Sequence, residues 1–199
     1  MRMLTCPISD LRALLRERPA LIVHFSGCPR GVGRDTHYPC DLSSVIANSQ
    51  EIICCSTIEP HDFDVPPFGG SGFVGVVLDP LGEEGIVFVD HEDHGAPPTT
   101  EQRLAMDRPE SLAACARTFT RDGATPYDEW LLGPSRVVGI FVAPGAQVHT
   151  PDGSFDSVTP ADVLSSLGKH RLFSCKDGQF YERHAADDWR PLDMSTVYP

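Results

Sequence analysis

Two adjacent acids, Asp128 and Glu129, stand in the run Tyr127-Asp128-Glu129-Trp130-Leu131-Leu132, and they are the first residues of this chain that could do chemistry. The run reads as a strand, followed by the turn Gly133-Pro134-Ser135 and a second, almost wholly apolar strand, Arg136 to Val142. Side chains alternate along a strand, so Tyr127, Glu129 and Leu131 share one face, while Asp128, Trp130 and Leu132 share the other. One acid of the pair then points to the apolar side, where an unpaired carboxylate is costly and needs a partner or a task. Arg136 and Arg103 are the candidate partners of Glu129 if its role is structural. Other polar groups gather at the ends of apolar runs. His24 and Ser26 close the run from Ala20, and Ser56 and Thr57 close the run from Glu51. Each run opens onto a loop rich in glycine and proline, so a cleft at these ends would surround a ligand with hydrogen-bonding groups.

Two further sets could carry chemistry. Cys28, His37, Cys40, Cys54, Cys55, His61, His91 and His94 are zinc ligands by type. Their spacing does not favour zinc: no Cys-x-x-Cys pair occurs, and His91 and His94 are three apart rather than the four of a helical metalloprotease motif. A thiol nucleophile needs a neighbouring base. Cys54 and Cys55 alternate in direction, so one of them faces the core, and His24 or His61 would have to activate the other.

The elements that must position these groups follow from local signals. Ile8, Leu11, Leu14 and Leu15 recur at helical spacing, and Pro19 ends the pattern. Residues 20–26 read as a buried strand and residues 27–40 as a long loop. Asp41 caps a short helix reaching Gln50, and residues 51–57 return as a strand. Phe73–Leu78 and Ile86–Val89 flank Pro80-Leu81-Gly82 as a hairpin, and residues 100–119 read as helical. Thr159-Pro160-Ala161-Asp162 starts a helix with a capping residue and then proline. Asp177-Gly178 makes a final hairpin turn. With six to eight strands and three or four helices, the class is α+β. Residues 1–185 form one globular domain, and residues 186–199 form a loosely packed tail.

Composition narrows the setting. The net charge of −12 and a pI near 4.9 repel a phosphate backbone, which argues against generic nucleic-acid binding and would steer the chain toward a basic protein partner. No apolar run approaches a membrane span, and the N-terminus has no signal-peptide core. Seven irregularly spaced cysteines point to reduced thiols. A soluble, cytoplasmic protein is expected.

The run ending His24-Phe25-Ser26, the run ending Ser56-Thr57, and the acid in Asp128-Glu129-Trp130 together resemble the mono-ADP-ribosyltransferase fold. The resemblance implies a split, bent, mostly antiparallel β core with a few flanking helices. It implies a toxin-type or defence-type enzyme that cleaves the nicotinamide–ribose bond of NAD and transfers ADP-ribose to a macromolecular acceptor. His24 would bond a ribose of NAD, with Phe25 and Ser26 beside it, and Ser56 or Thr57 would brace the site. Glu129 would hold the ribose 2′-hydroxyl and stabilise charge at the anomeric carbon. Tyr38 or Tyr127 is the candidate to stack on nicotinamide. The Glu-x-Glu pair of arginine-modifying members is absent, because Tyr127 lies two before Glu129. The competing expectations are an acidic, non-enzymatic inhibitor and a zinc-dependent hydrolase.

Overall fold

The computed structural model describes residues 7–26, 37–51, 53–63, 74–81, 86–90, 115–116, 119, 129–150, 152 and 154–199; for residues 86–90, 129 and 131 it describes the backbone. The strands are β1 (Leu21–Phe25), β2 (Ile53–Ile58), β3 (Val74–Pro80), β4 (Ile86–Asp90), β5 (Glu129–Leu132), β6 (Ser135–Val142), β7 (Gln147–His149), β8 (Phe155–Ser157), β9 (Leu172–Lys176), β10 (Gln179–Arg183) and β11 (Trp189–Pro191). The helices are α1 (Ile8–Glu17), α2 (Cys40–Ala47) and α3 (Pro160–Leu167), with short 3-10 turns at Pro60–Phe63 and Met194–Thr196. The fold is α+β. Nine strands join in the order β11-β10-β9-β6-β3-β1-β2-β5-β4, and β7 pairs β8 separately. Among the described residues every ladder is antiparallel except β6–β9. The sheet runs unbroken across all nine strands, where a core split in two was the expectation.

Local chemistry accounts for the elements near the expected positions. Leu11 and Leu15 of α1 are fully buried, as the spacing of its apolar residues requires. Thr159 and Asp162 form a reciprocal capping box at the start of α3, with Pro160 in the first turn. Asp177 (φ 50°) and Gly178 (φ 70°) both adopt the left-handed conformation that a two-residue hairpin turn demands. At Gly178 a side chain would also collide with the His61 imidazole.

Strand pairing departs from sequence order in two places. β3 and β4 do not form a hairpin: β3 lies between β1 and β6, while β4 pairs with β5 at the sheet edge. β5 and β6 also part company, with β2, β1 and β3 between them. The Gly133-Pro134-Ser135 segment is therefore a crossover, not a turn between partners. It is tied down by Ser135 N–H to the Ser49 carbonyl (2.8 Å) and Leu81 N–H to the Pro134 carbonyl (2.9 Å).

The C-terminal segment is not a loose tail. Trp189–Pro191 adds β11 to the sheet, and Met194, Val197 and Tyr198 are buried. The Tyr198 hydroxyl accepts the backbone N–H of Ile22 at 2.8 Å, and burial pushes its pKa far up. Around it, Asp79 (1% exposed) binds Arg12 through both carboxylate oxygens (2.9 and 3.0 Å) and also Arg136 (2.9 Å). Arg136 reaches on to the Val197 carbonyl, and Arg16 to that of Tyr198. The strand, the first helix and the C-terminus are thus fastened at one point.

Removing one member of a buried ion pair strands the other charge, at a cost of about 3–5 kcal/mol. Asp79→Asn is therefore expected to lower unfolding stability by about 3 kcal/mol, at the lower end of that range because both arginines reach solvent. Arg136→Met, whose guanidinium side is 44% exposed, should cost clearly less. Urea denaturation of the two variants checks the ranking, and an equal or reversed loss would contradict it.

Candidate functional site

β1 carries His24 and Phe25, with Ser26 just beyond its end. β2 lies against it and carries Ser56 and Thr57, and β5 lies against β2 and begins at Glu129. The three stretches singled out in the sequence therefore occupy adjacent places in the sheet. Cross-strand partners share a face, and successive residues alternate faces. Val23 is opposite Ser56, and Ser56 is opposite Glu129. His24 falls in the next row, with Val76 of β3 and, through β2, Cys55 and Trp130.

Alternation divides the expected residues. His24 and Ser26 lie on one face with Thr57, which is buried opposite Ile22. Phe25 and Ser56 belong to the other face. There Phe25 packs edge-on against Phe141 (6.3 Å between centroids), which also meets Phe63 and Phe180. Phe25 thus serves an aromatic core rather than the His24 side of the sheet. The backbone of Glu129 is in the row of Ser56, and its side chain is outside the described residues. Arg136 is engaged by Asp79.

His24 is half-buried. Its Nδ1 is 2.7 Å from the Cys54 carbonyl oxygen. A carbonyl can only accept, so Nδ1 carries the hydrogen, and in the neutral ring Nε2 keeps a lone pair. Burial lowers the His24 pKa below its usual 6.5; the Cys54 carbonyl and the Asp41 carboxylate oppose this more weakly. The ring is thus held as a neutral hydrogen-bond acceptor.

Asp41 joins the site from α2. It was read as a helix cap, but α2 begins one residue earlier, at Cys40, behind Pro39. The Asp41 carboxylate accepts the backbone N–H of Leu42 at 2.7 Å and the Ser26 hydroxyl at 2.6 Å. It also raises the pKa of Tyr38, behind the larger effect of burial. Tyr38 is half-buried and packs against the core. Its hydroxyl is buried without a well-formed hydrogen bond, beside Ser166 and Asp162 of α3. Ser26 and Asp41 lie fifteen residues apart, and no short-range motif announces that contact.

The alternative chemistries fare as follows. His61 packs against Gly178 in the β9–β10 turn, four strands from β2 at the nearer end of that hairpin. Cys55 is buried, with its thiol toward the Ile53 carbonyl (3.8 Å), and His24 meets the carbonyl of Cys54. Among the described residues no three His, Cys, Asp or Glu side chains come together as metal ligands. Cys28, His91, His94, Arg103 and Tyr127 lie outside the described residues. No helix among the described residues is long and apolar enough to cross a membrane.

A histidine with a lowered folded-state pKa couples stability to pH. Between that pKa and about 6.5 the unfolded chain binds the proton and the folded chain does not, so stability rises with pH there. The contribution is complete above about 6.5 and is lost as pH falls below it. His24→Asn keeps a donor for Cys54 and removes the titration. Denaturation midpoints from pH 7.5 to 5 should show a shallower acid loss in the variant; parallel profiles would contradict a neutral His24.

Matched against protein-family models, characterised proteins and solved structures, the chain finds no counterpart.

Proposed function

We propose that the chain is a NAD-consuming, ADP-ribosyltransferase-like enzyme acting on a macromolecule. The observation that supports this most is the placement of β1, β2 and β5 side by side. Residues 21–25, 53–58 and 129–132 are distant in the chain, yet they form neighbouring strands of one sheet. The finer fold assignment, to an ADP-ribosyltransferase-like core, belongs to the same proposal.

In this reading the neutral His24 Nε2 accepts a ribose hydroxyl of NAD, and the Ser26–Asp41 hydrogen bond holds the end of β1 in place. The bond from the ribose anomeric carbon to the nicotinamide nitrogen breaks, and its electron pair leaves with nicotinamide. Positive charge builds on the anomeric carbon and ring oxygen, and a carboxylate at the start of β5 stabilises it. A nucleophile of the acceptor bonds to the anomeric carbon and gives up its proton.

The register makes the choice of carboxylate a specific question. Glu129 lies in the row of Ser56, and the sequence sets a second acid, Asp128, directly before it. Asp128 lies outside the described residues. Nicotinamide release should therefore be measured for Glu129→Gln and Asp128→Asn. The variant lacking the working acid should keep its melting temperature and lose about 100-fold or more in NAD turnover. Turnover unchanged in both, or no rise in melting temperature with NAD in the wild type, would remove the mechanism and favour an acidic interaction protein.

A further inference from the structure

A hollow of about 420 Å³ opens between the segment leaving α3 and the end of β10. Lys169 and His170, from the segment after α3, and Arg183 and His184, from the end of β10, line it together with the apolar Leu164 and Leu172. This chain has 16 Lys and Arg against 28 Asp and Glu, so a hollow lined by four basic side chains runs against its composition.

Two of the acids close by are engaged by arginines, while Asp187, beside Ala186, is exposed. Glu182 takes two hydrogen bonds from Arg171, at 2.7 and 2.8 Å, which hold its carboxyl below the usual range. Asp188 is held down in the same way by Arg190, at 3.2 and 2.7 Å. His184 interacts with both of these acids only at longer range. Lys169, His170 and His184 make no side-chain hydrogen bond or ion pair among the described residues. Arg183 is different: its guanidinium is fixed on the Ala185 and Ala186 carbonyls, at 3.1 to 3.2 Å, which holds its charge in place.

Lys169 and Arg183 bring two fixed positive charges to one hollow, and an anion entering it is attracted to both. Donors from two separate segments line the hollow, which suits a group carrying several oxygens. We propose that this hollow binds a phosphoryl group, with Lys169, Arg183 and His184 as its contacts and the leucines against an apolar portion of the ligand. None of its lining residues belongs to β1, β2 or β5, so the site is separate from the proposed NAD chemistry.

Phosphoryl groups reach such a hollow as soluble esters or as lipid headgroups, and the test separates them. Melting temperature and calorimetric titration of the full chain would use inorganic phosphate and pyrophosphate, with sodium chloride at matched ionic strength as control. Pyrophosphate should raise the melting temperature and chloride should not. Lys169→Glu and, separately, His184→Gln should each retain the wild-type melting temperature without ligand. The first should weaken pyrophosphate binding about tenfold or more, a loss of about 1.4 kcal/mol. Co-sedimentation with phosphatidylcholine vesicles containing phosphatidic acid, competed by pyrophosphate, assigns the lipid source. Pyrophosphate binding without co-sedimentation assigns a soluble ester. An equal response to chloride, or wild-type pyrophosphate affinity in both variants, overturns the site.

Discussion

The backbone of β1 is the constraint on which the rest of this molecule rests. It is five residues long and is shared between two partners, β2 over Leu21–Val23 and β3 over Val23–Phe25. Each partner covers only part of it. The ladder with β3 starts at Val23, and the N–H of Ile22 is bonded to the Tyr198 hydroxyl instead. A buried N–H left unpaired would cost about 1–3 kcal/mol. The last residues of the chain therefore complete the hydrogen bonding of its central strand, and the Arg12–Asp79–Arg136 cluster holds them there.

The same strand sets the electrostatics of the candidate site. The last residues of β1 pair with β3, His24 reaches the Cys54 carbonyl of β2, and Ser26 bonds Asp41 at the start of α2. His24 meets the Cys54 carbonyl through Nδ1–H, and that bond leaves Nε2 of the neutral ring as the acceptor. Burial and Asp41 act on the ring in opposite directions, and burial prevails. A ring in this state can receive a hydroxyl but contributes no positive charge to the site. Any stabilisation of a developing cation would have to come from carboxylates, which this chain has in excess.

What could be read from the sequence was local. Pro19 after an apolar helical stripe, Thr159 with Pro160 and Asp162, and Asp177-Gly178 each act through bonds made within a few residues, and each element sits where those bonds place it. Strand partnership is different. Pro80-Leu81-Gly82 and Gly133-Pro134-Ser135 have turn chemistry, yet the strands beside them pair elsewhere, because register is decided by which faces bury together across the whole sheet. The candidate site was legible to the extent that His24, Ser26, Ser56, Thr57 and Glu129 sit on neighbouring strands. The division of these residues between two faces was not, since it depends on the pairing Val23–Ser56–Glu129. Asp41 was hidden for a similar reason: its contact with Ser26 arises only when α2 packs over the end of β1. Tyr198 looked like part of a polar tail, because nothing nearby in the chain signals a buried partner.

The central claim is that His24 offers a neutral ring, hydrogen on Nδ1, to a nucleotide at the end of β1. Long-range nitrogen–proton correlation spectra of the histidine rings at pH 7 report this directly, before and during NAD titration. A neutral His24 with an unprotonated Nε2 whose resonance moves as NAD is added is the predicted result. A charged ring, hydrogen on Nε2, or a His24 signal indifferent to saturating NAD would contradict the account.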